Sequence, residues 1–420
     1  MVLQHPDAVR AARAIPVDQI DFTDDRVWRR ELDRWELFRT LREERPVGFQ
    51  RETKLDRFPD GPGYWGLVRY DDVRAVSRDH ETFCNAQGYL IPDLPGEIGE
   101  FFGSMLQMDS PRHTRMRLIV NRSFTPRHVA RIENYVDEKA SSIVDRVLTL
   151  GEFDFVDEIA AALPLEIICE MMGIPLSAWP AVQRCTNVVM GATDSEYASS
   201  FDDLLNAALE LSAIAEEIAN ERLANPLDDL TSALMHAEVD GHRLTAAEYA
   251  SFFILLVVAG NETTRNAATH AFWQLALDPS QRALWSSDID RYTAGAVEEI
   301  VRGSSPVQHF RRTATRDTEI SGQPIKKGDK VVLWFGAANR DPAVFADPDR
   351  FDIERTPNDH LGFGAGGPHF CLGANLARRE LRAIYTQILT RLGGLEVTGE
   401  PDYLHSAFVD GIKHLPCRVR

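Results

Sequence analysis

The 420-residue sequence lacks the features that mark several common protein classes. Its five cysteines are an odd number, lie far apart and include no CxxC pair, which argues against a disulfide framework and against a zinc or dithiol redox site. Its longest apolar run, residues 252–260, has nine residues and falls far short of the roughly 20 that a membrane-spanning helix needs. These absences favour a protein of a reducing compartment without a stable membrane anchor.

Positive charge and targeting signals are also scarce. Lys and Arg total 46 against 64 Asp and Glu, and a net charge of -18 repels nucleic-acid phosphates and anionic membranes. Residues 1–21 carry Asp7 and Asp18 and show no basic segment followed by an apolar one, so no signal or transit peptide is visible. We therefore expect a cytoplasmic protein that does not bind nucleic acid.

What is present is the pattern of a mainly α protein. Apolar residues recur at three- and four-residue spacing over 131–150, 204–223, 294–302 and 374–392, which predicts amphipathic helices. Short β-like runs occur at 63–68 and 318–334, the second with a Lys327-Gly328-Asp329 turn. No repeat, linker or composition shift marks a boundary, so we expect one domain over 1–420. Its β-rich portion should lie at roughly 45–70, 315–335 and the C-terminal segment, and the remainder should be helical.

One helix is predicted to be unusually long. Thr245 and Glu248 have the spacing of a capping box, and the helical pattern continues to Asp278-Pro279. At 1.5 Å per residue, such a helix is about 50 Å long and spans the domain. Its middle, Ala259 to Thr264, places Gly, Asn, Glu and two Thr directly after the apolar run, a pattern that a purely structural core helix does not require.

A glycine-rich loop, residues 363–373, precedes the helical pattern that begins at Ala374. It presents Cys371 at a helix N-terminus, where free amides and the helix dipole stabilise a thiolate, and its glycines allow a flat partner to approach the backbone. A thiolate ligand to haem iron needs these conditions. The alternative is a structural cysteine beside a phosphate-binding loop.

Three weaker segments accompany this loop. Glu299 and Arg302 lie three residues apart on one helical face, a pairing that by itself is usual on a solvated helix. Pro348-Asp349-Arg350-Phe351 follows downstream, and His113 and Arg117 lie four apart on one face, suited to gripping a carboxylate.

Taken in order, these segments resemble the cytochrome P450 superfamily over nearly the whole chain. The resemblance implies a large helical domain with a small β-rich region, and haem b between the long central helix and the Cys-loop helix. It implies that Cys371 is the axial metal ligand and that Glu299, Arg302 and Arg350 form a buried ion-pair network. The residues implied to contact haem are His113, Arg117, Ala259, Gly260, Arg312, Phe363, His369, Cys371 and Gly373. Phe363 stands one residue further from Cys371 than in the usual signature, which leaves its packing beside the sulfur open.

A closer resemblance, in residues 102–105, 164–169 and 252–264, is to an actinobacterial subgroup that hydroxylates methyl-branched lipids and sterol side chains. It implies an apolar substrate, with attack at the terminal methyl of a branched fatty acid, isoprenoid or sterol side chain. The residues expected to line the pocket are Leu90, Ile91, Leu94, Val257, Val258, Val307, Phe310, Phe408 and Val409. A hydroxylase of another apolar secondary metabolite is the alternative from the same family.

The resemblance implies that the protein is a haem-thiolate monooxygenase that uses O2. Glu262 and Thr263 are the candidate catalytic pair, since a carboxylate and a hydroxyl can deliver protons during dioxygen activation. The alternative for these two is a Thr bonded back to its own helix and a Glu in a surface ion pair. Electrons should come from a ferredoxin and its NAD(P)H-dependent reductase, because no GxGxxG lies between a strand and a helix.

An acid-free run of arginines offers that ferredoxin a docking surface, although holding haem carboxylates explains some of them equally well. The run comprises Arg112, Arg115, Arg117, Arg122, Arg127 and Arg131. Two rivals to the monooxygenase are a peroxide-driven peroxygenase, which needs no proton relay, and a non-catalytic haem-dependent lipid-binding protein.

Overall fold

Helices account for most of the chain, as the sequence predicts. The computed structural model describes residues 6–53, 60–123 and 126–420, without the side chains of 126–131. The helices are α1 (Pro6–Arg13), α2 (Asp25–Trp28), α3 (Arg34–Glu44), α4 (Tyr70–Arg78), α5 (Gly96–Gly103), α6 (Arg112–Ser123), α7 (Pro126–Val147), α8 (Ala162–Met172), α9 (Trp179–Met190), α10 (Phe201–Ala224), α11 (Leu230–His236), α12 (Ala246–Leu277), α13 (Pro279–Ser287), α14 (Ile289–Ser304), α15 (Phe335–Ala338) and α16 (Ala374–Arg391). Within these ranges, no helix has the length and apolar character needed to cross a membrane.

The long helix is confirmed as α12, with 32 residues and a length of about 48 Å. It starts with the expected capping box, in which the Thr245 hydroxyl accepts from the Glu248 amide and the Glu248 carboxylate accepts from the Thr245 amide. It ends at Leu277, and the carboxylate of the next residue, Asp278, caps α13. Residues on every side of α12 are buried, and α8, α9, α10 and α14 pack against it. The helix therefore forms the centre of the fold.

The strands are short and form small sheets. They are β1 (Val47–Gln50), β2 (Tyr64–Leu67), β3 (Phe83–Cys84), β4 (Glu152–Asp154), β5 (His309–Ala314), β6 (Thr318–Ile320), β7 (Gln323–Ile325), β8 (Lys330–Trp334), β9 (Leu395–Val397), β10 (Asp402–Tyr403), β11 (Ile412–His414) and β12 (Pro416–Val419). The largest sheet has the order β1-β2-β8-β5-β3, with β2 and β8 parallel and the other neighbours antiparallel. Smaller sheets pair β4-β12-β9, β10-β11 and β6-β7. Strands fall in all three segments expected to be β-rich, and β3, β4 and β5 lie outside them.

Helix α16 is fixed against α12, which places the Cys371 loop relative to the central helix. The buried Tyr385 hydroxyl of α16 donates to the Ala268 carbonyl of α12 at 2.5 Å. The Tyr385 ring also stacks on Trp285 of α13, with ring centroids 5.1 Å apart. Because Tyr385 lies on the same helix that begins just after Cys371, these contacts set the distance between the loop and α12.

The structure corrects one member of the expected ion-pair network. Arg302 makes two hydrogen bonds of 2.7 Å to Glu299, and both side chains are fully buried. The second guanidinium on Glu299 belongs to Arg355, whose Nε lies 3.1 Å from Oε2. Arg350 is exposed and contributes its main-chain carbonyl, which accepts from Arg302 at 3.1 Å. The turn after Phe351 brings Arg355 back toward α14, and Arg350 points outward.

Candidate active site

The Cys371 loop and α12 line one large cavity of about 540 Å³. Its walls come from distant parts of the sequence: α6, α8, α12, β5 and the 362–373 loop followed by α16. A volume of this size is typical of sites for cofactors and drug-sized ligands. The cavity is therefore the candidate active site.

Cys371 faces this cavity directly. All five cysteines lie in the described part of the chain, and Cys371 is the exposed one while the other four are buried. Its exposed surface lies on the cavity, and burial raises the pKa of its thiol. The Gly373 amide and the charges of Arg117 and Arg378 act in the opposite direction. A coordinating metal ion would deprotonate such a thiol outright.

The loop that carries Cys371 contains three glycines in left-handed conformations. Gly364, Gly366 and Gly367 have φ values of 94°, 89° and 88°. At Gly367 a Cβ would also come within 2.7 Å of the Ser77 carbonyl oxygen. The loop closes with a 2.9 Å hydrogen bond from the Cys371 amide to the Phe363 carbonyl. The residue inserted in this loop is thus accommodated by left-handed turns packed on the end of α4.

Four hydrogen-bonding side chains gather at the Cys371 end of the cavity. His113 and Arg117 come from one face of α6, Arg312 from β5, and His369 from the loop. The rings of His113 and His369 have centroids 4.2 Å apart, and His113 Nε2 is buried without a hydrogen-bond partner. Arg117 donates to the carbonyls of Pro368 and Phe370 at 3.0 and 2.8 Å, which ties the loop to α6.

Burial determines the charge state of this group. It lowers the pKa of His113 to about 4, helped by the charge of Arg117. It lowers the pKa of His369 to about 2, helped by the neighbouring His113. Burial also lowers the pKa of Arg312 to about 10, which leaves that guanidinium charged at neutral pH. The cluster therefore offers two neutral imidazoles and two cations.

The opposite wall is one face of α12. The cavity-lining residues of this helix are Phe252, Leu255, Leu256, Ala259, Gly260, Thr263, Thr264 and Ala267. Their spacing of three and four residues is that of a single helical stripe. Val307, which precedes β5, and Phe310, which lies on it, complete this largely apolar part of the cavity.

Known proteins resemble the chain in both sequence and structure. The family model of cytochrome P450 matches residues 170–393. A methyl-branched lipid omega-hydroxylase of Mycobacterium tuberculosis is 47% identical over 96% of this chain and 95% of its own length. The chain belongs to the cytochrome P450 family.

Two further relatives support this assignment. A steroid C26-monooxygenase of Mycobacterium tuberculosis is 38% identical over 94% of this chain and 91% of its own length. A Mycobacterium marinum cytochrome P450 solved in complex with pseudoionone matches with a TM-score of 0.91 and 41% identity, covering 96% of this chain and 99% of that one. This P450 is a monooxygenase that carries haem with a cysteine thiolate ligand, uses O2 as co-substrate and receives electrons from redox partners.

The cavity has the donor set that haem requires. A thiol faces one wall, and four hydrogen-bond donors converge at the same end, where the unpartnered Nε2 of His113 could donate to a carboxylate. Haem presents an iron that accepts a thiolate and two propionates that accept hydrogen bonds. Of the nine residues expected to contact haem, all line this one cavity. Gly373 also lies there as the N-cap of α16.

Glu262 and Thr263 lie on different faces of α12. Thr263 lines the cavity, and its hydroxyl donates to the Ala259 carbonyl at 2.9 Å. Glu262 is fully buried on the side toward α9, where its carboxylate pairs with Arg265 and accepts from Asn261 at 3.3 Å. Burial raises the pKa of Glu262. The helix-bonded Thr foreseen as an alternative is observed, whereas the Glu is in a buried ion pair and not at the surface.

Most of the expected substrate pocket lies elsewhere in the described structure. Val307 and Phe310 line the cavity, but Val257 and Val258 are packed in the core on the other side of α12. Consecutive residues of a helix turn by about 100°, so 257–259 cannot all face one cavity. Ala259 and Gly260, which were predicted to contact haem, lie on the stripe of α12 that faces the cavity.

The remaining candidates lie behind the cavity wall. The loop with Leu90, Ile91 and Leu94 is held toward the large sheet, since the carbonyl of Ile91 accepts from Lys330 at 3.1 Å. Phe408 packs against Phe310 with ring centroids 5.7 Å apart, and the buried Val409 pairs with Val307. None of these five is among the cavity-lining residues of the described chain. Met105 and Leu106, which precede α6, line it instead.

Proposed function

We propose that this P450 hydroxylates the terminal methyl group of a methyl-branched lipid. The observation that carries the proposal is the largely apolar stripe of α12, which faces the cavity opposite Cys371 and whose hydroxyl groups are those of the adjacent Thr263 and Thr264. The relatives named methyl-branched lipid omega-hydroxylase and steroid C26-monooxygenase support a branched fatty acid, isoprenoid or sterol side chain as the substrate.

The reaction places a specific demand on the cavity wall. Bound haem, ligated by Cys371, supplies the activation of O2 and the oxidation of a C–H bond. A terminal C–H bond is stronger than the internal ones, so selectivity must come from holding the chain end at the reactive position. Leu255, Leu256 and Val307 offer the contacts that would exclude the middle of the chain.

Thr263 and Glu262 have separate parts in this proposal. The hydroxyl of Thr263 donates to Ala259, which leaves its oxygen lone pairs free to accept from a water in the cavity. Glu262 can carry protons from the α9 side if its carboxylate leaves Arg265 and rotates. Burial raises the pKa of Glu262, so its carboxyl holds a proton more readily than an exposed glutamate does.

A ferredoxin, reduced by an NAD(P)H-dependent reductase, is the proposed electron donor, and an NAD(P)H-linked chain favours the cytoplasm as the place of reaction. Helix α6, which contacts the Cys371 loop through Arg117, also carries the basic side chains of Arg115 and Arg122. Arg112 is paired with Glu100, and Arg117 is committed to loop carbonyls, so these two contribute less to docking. The side chains of Arg127 and Arg131 lie outside the described residues.

The test uses the purified holoenzyme and two absorption measurements. The reduced, CO-bound protein should show the thiolate-type spectrum, and branched fatty acids, isoprenoids and sterols should shift the resting spectrum more strongly than compact polar molecules. Loss of the thiolate spectrum would overturn the ligation. A shift produced only by polar molecules would overturn the lipid substrate.

A further inference from the structure

Arg378 occupies an unusual position on the second turn of α16. Its guanidinium is held by a carboxylate on another helix: Nε and Nη2 lie 2.6 and 3.0 Å from the two oxygens of Glu298 on α14. The same carboxylate accepts from Nε2 of the buried His360 at 3.0 Å. Nδ1 of His360 accepts the Gly362 amide at 3.1 Å, which fixes the imidazole with its proton on Nε2.

This clamp places the guanidinium over Phe363. The Arg378 carbon Cζ lies 4.4 Å from the centroid of the Phe363 ring, a cation–π geometry. Phe363 lines the haem cavity, and its carbonyl accepts the Cys371 amide at 2.9 Å. A chain of direct contacts therefore runs from Glu298 through Arg378 and Phe363 to Cys371.

Arg378 also acts on Cys371 through its charge. Among the described residues, Arg378 and Arg117 are the guanidinium groups whose charges act on the Cys371 sulfur. Of the two, Arg117 is fixed by the carbonyls of the loop itself. Arg378 is instead balanced by an acidic residue: although burial opposes it, the hydrogen bonds that Glu298 accepts from His360 and Arg378 lower the pKa of Glu298 to about 2.

We propose that Arg378, clamped by Glu298 and His360, is a positioning residue that sets the reduction potential of the bound haem. It holds Phe363 against the Cys371 loop and places a positive charge near the thiolate, which weakens electron donation to the iron and favours the reduced state. The inference rests on the proposed ligation of haem by Cys371. It concerns electron transfer into the haem and is separate from contact with the substrate.

The measurement is the midpoint potential of the substrate-free holoenzyme, taken by spectroelectrochemistry without ferredoxin. Arg378→Gln should lower the potential by about 30–60 mV, which is a three- to tenfold change in the one-electron equilibrium. Arg378→Lys keeps the charge and should recover at least half of that shift. Arg382→Gln is the matched control, because Arg382 is exposed one turn later on the same helix and should leave the potential unchanged.

Other results would overturn the inference. These are an unchanged potential in Arg378→Gln, an equal shift in Arg382→Gln, or a Lys variant that behaves as the Gln variant does. If Arg378→Gln fails to bind haem, Glu298→Gln provides the test instead. Removing the negative charge beside Arg378 should raise the midpoint potential, and a lower or unchanged potential would contradict the proposal. The reduced-CO spectrum of the parent separates the ligation of haem by Cys371 from the role of Arg378. Absence of the thiolate-type spectrum in the parent would refute the ligation. A normal spectrum together with an unchanged midpoint potential in Arg378→Gln would refute the role of Arg378 alone.

Discussion

The two ends of the cavity are built from different chemistry. At the Cys371 end, a thiol, two imidazoles and two guanidinium groups converge, and hydrogen bonds from Arg117 fix the loop to α6. The α12 wall offers mainly hydrocarbon, and its Thr263 hydroxyl donates back to the helix. The first end suits one group of fixed shape and charge, and the second suits many chains of similar polarity.

The difference also shows in how each end tolerates change. A directional ligand set fails when one member is removed, because the remaining polar groups stay buried without partners. An apolar wall loses contact area and shape when a side chain is shortened, so the bound chain shifts while binding persists. Substitutions at the Cys371 end should therefore abolish function, and those on α12 should redirect it.

Cys371→Ser should have the largest effect, because an alkoxide or alcohol cannot replace the thiolate ligand. We expect loss of the thiolate-type reduced-CO spectrum and of hydroxylation. Cys84→Ala is the control, since Cys84 is buried in β3 away from the cavity, and it should retain both. An unchanged spectrum in the Ser variant would contradict the assignment of Cys371.

Removing Arg355 should have the next largest effect, on stability. Arg355→Met leaves the fully buried Glu299 with one guanidinium instead of two, and breaking a buried pair costs about 3–5 kcal/mol. Arg350→Met should change stability by less than about 0.5 kcal/mol, since the exposed Arg350 acts through its main-chain carbonyl. Urea unfolding of the two holoenzyme variants measures the difference, and equal losses would restore Arg350 to the network.

These results show which parts of the site local sequence patterns can predict. The capping box, the length of α12 and the Cys371 loop follow from short-range rules of backbone hydrogen bonding and glycine conformation, and the sequence indicates them correctly. The second arginine that pairs with Glu299 lies in an irregular segment after Phe351. Such a segment has no periodicity, so the sequence does not indicate whether Arg350 or Arg355 points toward α14.

The substrate wall shows a different limit. Val257 and Val258 were predicted to line the substrate pocket and Ala259 to contact haem, although three consecutive residues of a helix cannot all face one cavity. The helical period of 3.6 residues by itself predicts that residues 252, 255, 256, 259, 260 and 263 share one face of α12, which is the face that lines the cavity. The positions of Leu90 and Phe408 depend on long-range packing with Lys330, Phe310 and the large sheet, which no sequence pattern specifies.

Thr263→Ala tests one of the two hydroxyl groups on the largely apolar wall. We expect haem binding and substrate affinity to persist, while product formed per NAD(P)H falls several-fold and peroxide rises, because the hydroxyl proposed to accept from a cavity water is lost. Thr269→Ala is a suitable control, since Thr269 makes the same helix bond, to the Arg265 carbonyl, but is buried away from the cavity. Equal coupling in Thr263→Ala and the parent would show that Thr263 is not needed for proton delivery.

Leu255→Ala should have a smaller effect, confined to the position of attack. Shortening this cavity-lining side chain lets the substrate slide, so in-chain alcohols should appear beside the terminal one. Leu90→Ala should leave the product ratio as it is in the parent, because Leu90 is outside the cavity. A product ratio that changes with Leu90 and not with Leu255 would contradict the assignment of the wall.

The most direct test of the central claim is the product that the parent enzyme forms from a methyl-branched fatty acid with a reconstituted ferredoxin and reductase. Chromatography with mass spectrometry identifies the position of the new hydroxyl group. The fixed Cys371 end and the apolar α12 wall together predict the terminal alcohol as the main product. Mid-chain alcohols alone, or no product while haem binding is intact, would contradict the account.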